Sequence, residues 1–322
     1  MGHNHPFIVE AIKNQLNELD YAPAIQFGHF KSFQLAEKIV EFMPSGLNHV
    51  FFTISESELV NTAFKMAKDY WYKKGNTNKT KLIRYSRCSH KTLSDHSSYL
   101  SLNNFSLNEL NEIITFHGKE TIAAVIIEPI CILSSMSYQP KEYFNDLKDI
   151  CINNDILLIF DETISAFGRI GTKTAAETFD ITPDMLLTAR QLTNGIMPMG
   201  AVIVSSEIYN TFIKNGISEY NIEFPHGEAY FANPIACAAA LATLKILENE
   251  NIFLTVLRLT HTIEKMWQKG FYLHFIGNTI QFALPFKVTY LEIDNLFNAL
   301  SDTLYELKLE YSSVQHETNI VL

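Results

Sequence analysis

The chain has 322 residues, 47% of them hydrophobic and 19% charged, and a formal net charge of −10. That length and composition bury a substantial core and exclude a disordered or fibrous chain. The negative balance, without any lysine- or arginine-rich run, excludes a nucleic-acid footprint, and no apolar run is long enough to span a bilayer.

The first block, Gly2-His3-Asn4-His5-Pro6, has no basic region followed by an apolar stretch, so no secretory leader is expected. Val50-Phe51-Phe52-Thr53 reads as a short buried strand. It leads into Ser55-Glu56-Ser57-Glu58, where Ser55 and Glu58 have the spacing of a capping box. A helix follows, with Val60, Ala63, Phe64, Ala67 and Trp71 on one face. Lys81-Leu82-Ile83-Arg84-Tyr85 is a second strand. Ile122 to Ile127 is a third, ending at Glu128-Pro129. Tyr143 to Ile152 has helical periodicity, and Ile156 to Phe160 is a fourth strand, closed by Asp161-Glu162. Met185 to Thr188 and Ala201 to Ser205 are the fifth and sixth strands. Pro234 to about Glu248 reads as one helix rich in alanine and leucine. Beyond it, Phe271 to Phe286 reads as strands and Leu291 to Leu309 as a closing helix. The composition shift places a large domain at 1–245 and a reduced C-terminal domain at 246–322.

Continuous apolar strands separated by helices imply an α/β fold with a mainly parallel sheet covered on both faces. Ligands bind beyond the carboxyl ends of such strands. Glu128, Asp161 and Arg190 all fall at or just past strand ends, which predicts one shared site. The four cysteines (Cys88, Cys131, Cys151, Cys237) lie far apart and read as reduced thiols of a cytoplasmic protein. Cys88, His90 and His96 fit no standard zinc spacing.

Two blocks carry a resemblance. One is Ile156-Leu157-Leu158-Ile159-Phe160-Asp161-Glu162. The other runs from Thr188-Ala189-Arg190-Gln191-Leu192-Thr193-Asn194-Gly195 to Met197-Pro198-Met199-Gly200. Together they resemble the class III pyridoxal-phosphate (PLP) aminotransferases, above all the ω-amino acid–pyruvate type. The resemblance runs from Gly2 to about Leu257 and from about Thr262 to Leu307. It takes in the Gly-His-Asn-His block, so His3 and His5 are read structurally rather than as metal ligands. It implies the PLP-dependent transferase fold type I, a large domain with a reduced α/β small domain, and a cytoplasmic homodimer. The implied reaction moves an amino group from an ω-amino acid or amine to pyruvate, with a small amine or amino acid as ligand.

The resemblance also assigns roles by position. Asp161 matches the aspartate that keeps the pyridine nitrogen protonated, and Glu128 the glutamate at the substrate mouth. Ser55 and Ser57 match the phosphate-binding serines, and His90 the histidine beside the ring. Arg190 stands where the family has the Schiff-base lysine. Arginine stays protonated at physiological pH and offers no lone pair to an aldehyde. Other positions depart from the pattern too: Glu56 replaces a glycine of the phosphate loop, Ser89 a stacking aromatic, Ala229 a partner-subunit threonine, and His274 the substrate-carboxylate arginine. A histidine is a poorer carboxylate fork than arginine.

These departures predict a catalytically inactive descendant. In it Arg190 fills the old lysine cavity, paired with Asp161, and Glu56 caps the helix that phosphate once occupied. Two alternatives stay open at this point: an active transaminase with a relocated lysine, for which Lys173 is nearest in sequence, and a non-enzymatic partner of an intact paralogue. Family segments missing near Leu100–Leu107 and Leu257–Thr262 predict exposed apolar surface.

Overall fold

A computed structural model of the chain describes residues 2–24, 27–85, 98–103, 105–131, 137–214, 224–250, 265–271, 274–276, 279–281 and 289–317. They fall into two compact units, Met1–Gly168 with Thr172–Glu250, and Arg169–Gly171 with Asn251–Leu322.

The first unit opens with helices α1 (Pro6–Glu18) and α2 (Phe30–Val40). Strand β1 (Leu47–Thr53) then feeds helix α3 (Glu56–Lys73). The expected capping box is present with one change of partner. Ser55 Oγ accepts from the Glu58 N–H at 3.2 Å, and Glu58 Oε2 accepts from the Ile54 N–H at 3.1 Å, one residue before the cap. Val60, Ala63, Phe64, Ala67 and Trp71 are all buried, as their spacing predicts.

Next come β2 (Lys81–Tyr85), β3 (Tyr99–Leu102), α4 (Leu107–His117) and β4 (Ile122–Ile127). Two short strands, β5 (Ile130–Cys131) and β6 (Ser137–Tyr138), pair with each other. Helix α5 (Lys141–Asn153), β7 (Leu157–Asp161), α6 (Ala175–Phe179), β8 (Met185–Thr188), β9 (Gly200–Ser205) and α7 (Ser206–Lys214) follow. The unit closes on α8 (Pro234–Asn249), which starts at Pro234 because Asn233 Oδ1 accepts from the Ile235 and Ala236 amides. Most of α8 is buried, which explains its alanine and leucine content.

Seven strands form one sheet in the order β1-β9-β8-β7-β4-β2-β3. Strand β9 is antiparallel to both neighbours, so the other six run the same way. This is the expected mainly parallel sheet, with β3 as an edge strand that the apolar pattern did not announce. Side chains alternate between faces along a strand. Leu157 and Ile159 join Leu59, Ala63 and Ala67 of α3 in one cluster. Phe160, on the opposite face, meets Phe144 of α5 at 5.7 Å between ring centroids, and Phe144 meets Phe179 of α6 at 4.3 Å. Both faces are therefore covered.

Within the second unit, β10 (His274–Ile276) pairs with β11 (Thr279–Gln281), and α9 (Tyr290–Glu317) follows. Met266 and Leu296 are buried together, and Lys269 pairs with Glu306 at 2.8 Å.

Candidate functional site

The register of the sheet sets the site. Ile127 lies opposite Phe160, so Glu128 follows beside Asp161. Asp161 lies opposite Leu187, and Thr188 opposite Ala201. Thr53, the last residue of β1, lies opposite Gly200, the first of β9. Reading across the carboxyl edge of the parallel strands therefore gives the β1–α3 junction, the start of β9, the β8 end with Arg190, then Asp161, then Glu128. All three residues predicted to share a site are brought to this edge, and Asp161 and Glu128 are both buried.

Gly200 stands at a close approach. A Cβ there would meet Thr53 Oγ1 at 2.6 Å and Leu59 Cδ1 at 2.8 Å. Its bare backbone lets β9 start tight against the β1–α3 junction, where the first turn of α3 lies within reach of Arg190, the second residue past β8.

That reach is used by Glu56 and Arg190. Arg190 Nε donates to Glu56 Oε2 at 2.7 Å and Nη2 donates to Oε1 at 2.7 Å, a bidentate fork. The Glu56 side chain is 17% exposed and that of Arg190 56%. The guanidinium is held more firmly charged than usual, first by its hydrogen bond to Glu56, against a smaller opposing effect of burial. The charges of Glu56, Asp161 and Glu128 add to this. Two expectations are corrected here. The hydrogen-bonding partner of Arg190 is Glu56 rather than Asp161, whose Oδ1 accepts from the Thr163 N–H. And α3 is capped by Ser55 and Glu58, which leaves both carboxylate oxygens of Glu56 to Arg190.

The two acids closing β7 point opposite ways, as strand alternation requires. Asp161 shares the α3 face with Leu157 and Ile159, and its Oδ1 accepts from the Thr163 N–H at 3.1 Å. Glu162 turns to the other face and is fully buried. Its carboxylate accepts from the Ala175 N–H at 2.5 Å, the Ala176 N–H at 2.8 Å and Ser165 Oγ at 3.2 Å, while its own N–H donates to Leu187 O. Burial pushes its pKa up to about 7, against the pull of those three donors, and the neighbouring Asp161 adds to the rise. The sequence reading assigned Asp161 a role and left Glu162 without one. The signal that could have found it is a second acid directly after a strand-end acid, which must face the other side of the sheet.

Of the remaining sequence-predicted residues, Ser55 is the N-cap of α3 and Ser57 is exposed in its first turn. His90 and Ser89 lie outside the described residues, and His274 falls in β10, where the side chain is outside what is described. Lys173 is turned away from the strand ends. Its Nζ donates to Glu41 O at 3.2 Å and sits 5.5 Å from the centroid of the Phe42 ring. Ala229 is exposed. The Gly-His-Asn-His block has a structural setting: Gly2 O accepts from Asn194 Nδ2 at 2.9 Å, and Pro6 begins α1. Cys151 and Cys237 are buried free thiols, and burial raises the pKa of both.

Two open cavities lie apart from Arg190, Asp161 and Glu128. One, of about 220 Å³, is bounded by Gly46, Lys148, Asp184 and Glu207. The other, of about 260 Å³, lies between α1 and α8. Neither is lined by Arg190, Asp161 or Glu128. No group of His, Cys, Asp and Glu among the described residues could hold a metal ion, and no described helix is long and apolar enough to cross a membrane.

The family described as aminotransferase class-III matches residues 1–99 and 92–266. A β-alanine–pyruvate aminotransferase of Pseudomonas aeruginosa is 38% identical, with 94% of this chain and 85% of that protein covered. An ω-amino acid–pyruvate aminotransferase of Pseudomonas putida is 36% identical, with 95% and 85% covered. Among solved structures, a transaminase from the marine bacterium Virgibacillus superposes with a TM-score of 0.76 at 23% identity, covering 96% of this chain and 87% of its own. The PMP-bound form of an aminotransferase from Vibrio fluvialis superposes with a TM-score of 0.74 at 23% identity, covering 95% and 86%.

Proposed function

We propose, since this chain belongs to the class III aminotransferases, that it keeps the scaffold of an ω-amino acid–pyruvate aminotransferase without the amino-transfer reaction. The cofactor of this family is PLP, and the residues present do not fit its covalent attachment. Attachment needs an amine that can lose its proton and give its electron pair to an aldehyde. Position 190 carries a guanidinium that is always protonated, and two of its N–H groups are already committed to Glu56. That pairing is the observation that carries the reading.

The alternative of a relocated lysine finds no support in Lys173, whose ammonium is engaged with Glu41 O and the Phe42 ring. The same reading makes the chain a cytoplasmic homodimer. Exposed Phe27, Phe30, Phe33 and Tyr230 support an apolar contact surface.

The test is to mix the purified chain with PLP, reduce with borohydride, digest and weigh the peptides, and in parallel assay alanine formation from β-alanine and pyruvate. No reduced adduct and no alanine are expected. The Arg190→Lys variant is expected to stay inactive as well, because Glu56 would hold the new ammonium. A reduced adduct on any lysine of the wild-type chain, together with alanine formation, would overturn the proposal.

A further inference from the structure

We infer that Glu56 and Arg190 form an internal latch, in which the chain's own carboxylate takes the anion position at the start of α3 and shuts the site to phosphate-bearing ligands. The inference rests on the reading of the chain as an inactive aminotransferase relative and adds to it a specific excluded ligand class.

Helix α3 is 18 residues long, and its positive end opens on the carboxyl edge of the sheet, where an anion is favoured. Glu56 is the first residue of that helix. Its carboxylate is not required to cap it, since the hydroxyl of Ser55 takes the Glu58 amide and the carboxylate of Glu58 takes the Ile54 amide. Instead both its oxygens are taken by one guanidinium, which arrives from the far side of β9. Arg190 has other acids in its field, Asp161 and Glu128, but its strongest hold is the hydrogen bond to Glu56. The local balance is then one guanidinium against three carboxyl groups, which repels a dianion. A phosphate could enter only by displacing Glu56 from Arg190.

Removing the carboxylate leaves one guanidinium against two carboxyl groups and releases the two N–H groups that Glu56 held. The guanidinium is left beside the positive end of α3, two features that both favour an anion. Glu56→Gln keeps the size of the side chain and removes only the charge. Glu56→Gly removes both.

The experiment measures binding of inorganic phosphate by calorimetry and of PLP by equilibrium dialysis, for wild type and both variants. Circular dichroism and thermal melting confirm that each variant keeps its fold. Wild type is expected to bind neither probe at millimolar concentration. Both Glu56 variants are expected to gain about 10- to 100-fold in affinity for each, the scale of one or two charge-assisted hydrogen bonds. Binding by the variants is expected to be non-covalent, with no adduct after borohydride. Wild-type binding as tight as that of Glu56→Gly, or no gain in folded variants, would overturn the latch. Neither result would touch the inactivity of the wild-type chain, which fails only if that chain forms an adduct and turns over.

Discussion

Glu162→Gln separates the two forces acting on the buried acid behind Asp161. The three donors around Glu162 favour the carboxylate, and its complete burial favours the neutral acid. The structure gives the decision to burial, with the pKa raised to about 7 from 4.5. The sign follows from linkage. A group whose folded pKa lies above its unfolded one contributes stability that is complete below the unfolded pKa and lost as pH rises through the folded pKa.

Glutamine has no such dependence. Comparing denaturant unfolding of wild type and Glu162→Gln, the difference should move in favour of the variant by about 2–3 kcal/mol between roughly pH 5 and pH 8. Near pH 5, glutamine places an NH₂ where a protonated acid has one O–H, so the variant should be the less stable by about 1 kcal/mol. Near pH 8 it should match or exceed wild type. If wild type instead gains on the variant as pH rises, the donors outweigh burial and the reasoning about Glu162 is wrong.

Gly200→Ala should destabilise the chain by about 1–3 kcal/mol, because the new methyl would press on Thr53 and Leu59; denaturant unfolding reads this directly, and an unchanged midpoint would refute the close approach. Lys79 is nearly fully buried and donates to the carbonyls of Lys119, Ile122 and Asp155 at 2.9, 3.0 and 2.6 Å, over the face of Trp71. Lys79→Met keeps the stem but strands carbonyls, and should cost about 2–4 kcal/mol near pH 7. Burial pulls the pKa of Lys79 down to about 8 from 10.5. The unfolded chain therefore binds more protons between those values, wild-type stability should rise with pH across that window, and the gap to Lys79→Met should widen. A gap that narrows there contradicts the lowered pKa.

Much of the first unit was legible because its strands are continuous apolar runs and its long helices have clear faces. The strands at 81–85, 122–127 and 185–188 match their runs, and α8 starts at its proline. Strand β3 was not legible: Tyr99-Leu100-Ser101-Leu102 is an edge strand, with only Leu102 buried, so the burial that writes a strand into sequence is mostly missing. The candidate site was half legible. Strand ends located Glu128, Asp161 and Arg190, since each lies where an apolar run stops. The partner of Arg190 was not, because that depends on which strands are neighbours in space. β1 enters the sheet beyond the reversed β9, and no local pattern near residue 56 or residue 190 records that insertion.

The reversed strand also sets a timetable for the newborn chain. β1 takes its place only by pairing with β9, roughly 150 residues further along, so at ordinary rates of synthesis it emerges from the ribosome about 10–30 s before its neighbour exists. During that interval Val50, Phe51 and Phe52 present an unpaired border to the cell. Demand for a holdase should therefore concentrate on nascent chains that have passed β1 but not yet reached Ser205.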